Sequence, residues 1–250
     1  MIRGLYTATT GMMTQEKKLD IVMNNLSNAS TVGFKQDALV SRSFADMMVE
    51  RSGDSSIVQA SREVGPLNNG IHVDQVYTNF TSGSLSETGS STDLALTGDD
   101  FFVIGTSQGD RYTRSGSFTL DAEGYLTTAE GDRVLGQNGA IQIGTADFAV
   151  DSQGWISAGG QTIDQLRRVS FTDTTGLRKE GGNLYSSSGG QAAQAPDGQV
   201  RQGYLETANV DLADQMVSLI EIQRSYEINQ RVIQIMDDKL GRSVNDIGRV

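Results

Sequence analysis

The chain has 250 residues and a formal net charge of -11, with 29 glycines, two prolines and no cysteine. The acidic balance without a lysine or arginine run excludes a phosphate-neutralising nucleic-acid surface, and the missing cysteine excludes disulfides, thiolate metal sites and thiol catalysis. Apolar runs stay short of the ~20 residues of a membrane span, so no membrane insertion is expected.

The N-terminus "MIRGLYTATTGMM" lacks the continuous apolar stretch of a secretory signal, so departure from the cytoplasm would not use a cleaved one. It opens a helix instead. Ile2, Leu5, Thr9, Met12, Glu16, Leu19, Met23 and Leu26 alternate at spacings of three and four, with apolar residues at the d positions. Gly4 and Gly11 weaken that helix by about 1 kcal/mol each, so it needs a partner. Its exit, "MNNLSNASTVGFK", places Asn24, Asn25, Ser27 and Asn28 in about one turn, where short polar side chains compete with the backbone.

Character then changes. "GDSSIVQAS" at 53–61 is a polar break, and turn chemistry surrounds Pro66 up to Gly70. From Ile71 short strand-like runs alternate with glycine turns, "FFVI" (Phe101 to Ile104) reads as a buried strand, and Ser186–Gln199 reads as a loop or linker. "LDAEGYLT" (120–127) and "VDSQGWIS" (150–157) match in type at every position and predict two hairpin turns, with Asp accepting, Gly at positive φ and the aromatic covering the sheet. A second helix starts at Asp211, with Asp214 three residues on. Its seam runs Leu212, Met216, Leu219, Gln223, Tyr226, Gln230, Ile233, Asp237 and Leu240. A further apolar set (Val217, Ile220, Ile228, Val232, Ile235) widens the stripe beyond one partner.

Catalytic constellations are missing from this pattern. His72 is the sole histidine, Asp99 and Asp100 lack the alternating oxygens of a calcium loop and read as a turn before "FFVI", and neither "GTSQGD" nor "GQNGA" joins a strand to a helix N-terminus. The expectation is a non-enzyme without metal, cofactor or small-molecule substrate.

The residues also carry a resemblance. Asn24, Asn25, Leu26, Ser27, Asn28, Thr31, Gly33, Phe34 and Lys35 closely resemble the N-terminal signature of the flagellar rod and hook protein family. Gly203, Leu205, Glu206, Asn209, Val210, Met216, Gln223, Arg224, Tyr226, Glu227 and Asn229 resemble its C-terminal signature. "DLALTGDDFFVI" and "RYTRSGSFTLDAEGYLTTAEGDRVLG" look like its central β region, with Asp100 standing where relatives carry glycine.

The resemblance implies an α+β protein: N- and C-terminal α-helices paired as a coiled coil, and a central all-β domain of hairpins and twisted antiparallel sheet. The segments would be an N-terminal helix at 1–35, a connection at 36–70, the β domain at 71–208 and a C-terminal helix at 209–250. It implies a structural subunit of the bacterial flagellar basal body, in the proximal or distal rod, with end motifs most like the distal type and compact length suiting the proximal type, which is slightly ahead. Export would use the flagellar type III apparatus, and the partners would be copies of the chain and neighbouring rod and hook subunits. The implied assembly interface comprises Leu5, Met12, Leu19, Asn24, Asn25, Leu26, Asn28, Gly33, Phe34, Met216, Leu219, Ile220, Gln223, Arg224, Tyr226, Asn229 and Ile233. Glu16, Lys17, Lys18, Glu221, Arg224, Glu227 and Arg231 are candidate inter-subunit ion-pair partners. The rival from another class is an extracellular, adhesin-like binding module with a helical stalk.

Overall fold

The computed structural model describes residues 2–51, 62–145, 147–187 and 198–247. The polar break at 53–61 and most of the Ser186–Gln199 stretch lie outside the described residues. The chain is α+β, with a helix at each end and a β-rich middle. Two compact units divide it: residues 1–26, 37–77 and 212–250 form the first, and 27–36 with 78–211 the second. The exit loop of the first helix therefore groups with the β-rich unit, and the strands at 37–77 group with the helices.

The first unit holds α1 (Ile2–Ser27), β1 (Asp37–Ser43), β2 (Met47–Arg51), β3 (Arg62–Leu67), β4 (Ile71–Thr78) and α2 (Leu212–Ile247). The N-terminal heptad signal forms α1, and its threonines return their hydroxyls to the preceding turn, Thr14 Oγ1 donating to Thr10 O at 2.9 Å. Side chains of α1 and α2 meet in antiparallel order. Gly4 lies at Met236, Gly11 at Asn229, and Asn25 Nδ2 donates to Gln215 Oε1 at 3.4 Å. A β-carbon on Gly4 would stand 2.7 Å from Met236 Cε, so the glycine that weakens the helix also makes room for its neighbour. β1 pairs with β4, Arg42 reaching Asp74 at 3.0 Å, and β2 pairs antiparallel with β3. His72 on β4 is half-buried and stacks on Phe44 at 4.9 Å.

The second unit is built around the strand Asp100–Thr106. Its sheet runs 177–181, 184–187, 109–113, 100–106, 133–136, 126–127 and 119–120, antiparallel throughout, and 168–170 also pairs with 100–106. Both faces of the central strand are covered, which is why "FFVI" is uninterrupted rather than alternating. Phe102 and Ile104 pack with Leu94, Leu96, Phe118 and Leu126, whereas Phe101 and Val103 pack with Val169, Phe171 and Tyr185.

The two matched octapeptides fold alike. Asp121 Oδ1 accepts from Glu123 N and Tyr125 N, and Asp151 Oδ1 from Gln153 N and Trp155 N. Gly124 and Gly154 follow at φ of 83° and 84°. The aromatic position departs from its expected role: Trp155 is 42% exposed, and Tyr125 instead lies beneath the Arg133 guanidinium, 4.0 Å from its ring centroid. A second correction concerns Asp100. It is the buried first residue of the strand Asp100–Thr106, not part of the turn before it, and its Oδ2 accepts from Arg168 Nη1 at 3.2 Å and from Gly198 N at 3.0 Å.

Candidate functional site: terminal signatures and helix faces

The residue types that looked out of place at the end of α1 have separate tasks. Asn24 and Asn25 are adjacent, so helical geometry sends them to different sides: Asn24 is exposed and Asn25 is 2% exposed. The Asn25 side chain acts as a strand neighbour would. Its Nδ2 donates to Asp37 O at 2.8 Å and its Oδ1 accepts from Asp37 N at 3.0 Å, fixing the start of β1 against α1. Leu26 and Asn28 are half-buried, Asn28 Oδ1 accepting from Thr31 Oγ1 at 3.3 Å.

Within the β-rich unit, residues 31–36 meet 203–209, so the ends of the two signatures are knitted together. Gly33 N donates to Glu206 O at 2.7 Å, and Asn209 Oδ1 accepts from Gln36 N at 2.8 Å. Asn209 Nδ2 returns to the carbonyls of Asn79 and Thr81. Gly33 sits at φ 67°, and a β-carbon there would fall 2.5 Å from Ser115 N and 2.6 Å from Arg114 C. Only glycine combines that dihedral with that approach. Phe34 is buried, with Lys179 Nζ 4.3 Å from its ring centroid.

A charged cluster lies at the centre of this junction. Lys35 is fully buried, donating from Nζ to Glu206 Oε1 at 2.6 Å and to Thr81 O at 2.7 Å. Glu206 Oε1 also accepts from Gly83 N at 2.8 Å, and its Oε2 lies 3.8 Å from Arg114 Nη1. Arg114, itself 1% exposed, donates from Nη2 to Gly98 O at 2.6 Å. Burial holds the Lys35 ammonium below the usual lysine value, the Arg114 charge adds to the shift, and Glu206 opposes it. Sequence reasoning listed Lys35 and Glu206 as motif members without pairing them. The available signal was a basic residue directly after Phe34 and an acidic one directly after Leu205, since a charge drawn inside beside an apolar anchor needs a partner.

The helix positions divide into two groups. Leu5, Met12, Leu19, Leu219, Asn229 and Ile233 are half-buried, as are Gln215, Val232, Met236 and Leu240, while Ile222 is 9% exposed. Met216, Ile220, Gln223, Arg224 and Tyr226 are exposed. The inward line of α2 thus passes through Ile222, Asn229 and Met236 where the sequence seam has Gln223, Gln230 and Asp237. Two apolar sets share this helix, and periodicity alone cannot tell which one faces α1. The other set stays uncovered in the single chain: Val217 is 56% exposed, Ile228 60% and Ile235 54%. Among the described residues no helix is long and apolar enough to cross a membrane, and no cluster of metal-ligating side chains occurs.

Comparisons with known proteins match three stretches of the chain. Residues 5–35 match the family described as flagella basal body rod protein. Residues 95–158 match the flagellar hook protein FlgE/F/G D1 domain, and 201–247 match the C-terminal region of flagellar basal body rod FlgEFG proteins. The flagellar basal-body rod protein FlgG of Bacillus subtilis is 36% identical, over 98% of this chain and 99% of the relative. The flagellar basal-body rod protein FlgF of Caulobacter vibrioides is 35% identical over the full length of both. The flagellar hook-basal body complex protein FlhO of Bacillus subtilis is 30% identical, again over both full lengths. The chain belongs to the flagellar basal-body rod protein family. Its relatives carry both rod names at nearly equal identity.

Proposed function

From that membership, we propose that the chain is a structural subunit of the flagellar basal-body rod, outside the cytoplasm, where it assembles with copies of itself and with neighbouring rod and hook subunits. One observation carries the reading: α2 leaves a largely apolar stripe uncovered, with Val217, Ile220, Ile228 and Ile235 each about half exposed or more. A monomer gains nothing from such a stripe, whereas an obligate assembly buries it as a domain core would. α1 and α2 then act as an antiparallel coiled-coil pair, and the neighbours bury what the pair cannot. Torque passes through many modest apolar and polar contacts, so no catalytic chemistry is required. Delivery through the flagellar type III export apparatus completes the proposal.

Deleting the gene should abolish swimming, and a plasmid copy should restore it. Normal swimming in the deletion strain would contradict the assignment.

A further inference from the structure

The single chain presents two surfaces of matched chemistry on the same helix pair. The first is a groove of about 490 Å³ lined by Gln15, Glu16, Leu19, Ile222, Tyr226 and Glu227, apolar at its floor and acidic at its rim. The second is the outer stripe of α2, where Val217, Ile220, Arg224, Ile228, Arg231 and Ile235 recur at spacings of three and four and therefore share one face. All six of these residues are exposed. The stripe is apolar and basic, the groove apolar and acidic.

The charges involved are also uncompensated within the chain. Among the described residues, Glu16, Arg224, Glu227 and Arg231 take part in no ion pair, although the nearby Lys17 pairs with Asp20 at 3.2 Å. Exposed charges need no partner, but two acidic side chains beside an apolar groove and two arginines within an apolar stripe form a complementary set. We propose that the α2 stripe of one copy seats in the α1–α2 groove of the next copy, with Arg224 and Arg231 meeting Glu227 and Glu16. Groove and stripe are different patches, so the contact is heterologous. Repeated, a heterologous contact builds a ring or an open helical array instead of a two-fold dimer, and the rod reading selects the open array. This assignment rests on the rod-subunit reading and names the partner surface within it.

The lack of cysteine makes the contact directly readable. Gln15→Cys in the groove and Ile228→Cys on the stripe are carried by separate copies in one cell, and isolated basal bodies are oxidised. A disulfide-linked pair is expected for this combination and not for Ile228→Cys with Asp99→Cys, whose native side chain is 87% exposed in the β-rich unit. In parallel, Arg224→Glu with Arg231→Glu, and separately Glu16→Lys with Glu227→Lys, should each cause loss of swimming while leaving far-ultraviolet circular dichroism unchanged. Joining all four reversals in one chain should restore it.

Basal bodies that contain the chain but give no more cross-link than the Asp99 control would overturn the contact, as would full motility in either pair of reversals. The same cysteine pair is oxidised in concentrated, purified full-length protein. Cross-linking there, with the chain absent from basal bodies, would keep the contact and overturn the rod reading. Cross-linking in neither setting overturns the contact.

Discussion

Replacing Glu206 by alanine removes the buried carboxylate that pairs with Lys35 in the terminal junction. Glu206 Oε1 accepts from Lys35 Nζ at 2.6 Å and Gly83 N at 2.8 Å, and both ends of the ion pair are about fully buried. The alanine leaves a buried ammonium holding only the Thr81 carbonyl, and a second buried cation, Arg114, 1% exposed, without its nearest buried anion. Breaking a buried pair from one side costs about 3–5 kcal/mol, because the remaining charge stays desolvated. For a unit of this size that corresponds to a fall in melting temperature of roughly 6–20 °C. Thermal denaturation of the purified full-length chain, followed in the β-sheet signal, reads it out. Lys35→Met combined with Glu206→Leu should cost less than the sum of the two single changes, with about 1–3 kcal/mol of coupling. A Glu206→Ala variant within about 1 kcal/mol of the parent, or strict additivity, would refute the view that these residues form one unit.

Three further outcomes are expected. Lys35 is held below 10.5 chiefly by burial, so between its folded value and 10.5 the unfolded chain binds more protons and stability should rise with pH through that window. Lys35→Met should lack that rise in urea titrations, and parallel pH dependences would contradict the argument. Gly33→Ala should lower stability by about 3 kcal/mol or more, combining left-handed strain with a β-carbon pressed onto Arg114 and Ser115; a change within about 0.5 kcal/mol in urea unfolding would refute it. Ile220→Asp alters a side chain 48% exposed in the single chain. It should shift monomer stability by less than about 1 kcal/mol while stopping incorporation into basal bodies, and normal swimming of that strain would count against the assembly face.

Local chemistry was legible in the sequence wherever one short segment decided it. The Asp and Gly positions of 120–127 and 150–157 specify their turns without help from the rest of the chain, and "FFVI" announces burial on both faces. Pairings across the chain were not legible. Lys35 and Glu206 are 171 positions apart, and neither neighbourhood names the other. The inward side of α2 was read one residue late at Gln223 because both sides of that helix are apolar, and burial of Ile222 follows only once α1 is in place. Asn25 looked like a helix-weakening residue because its compensation lies at Asp37, in a strand that the sequence reading treated as a connection.

The most direct test is to purify basal bodies and locate this chain along their axis, by mass spectrometry and by electron microscopy with a label on the β-rich unit. The account predicts that the chain is a stoichiometric component of the rod with the label at a defined axial level. Basal bodies with complete rods that lack the chain would contradict it.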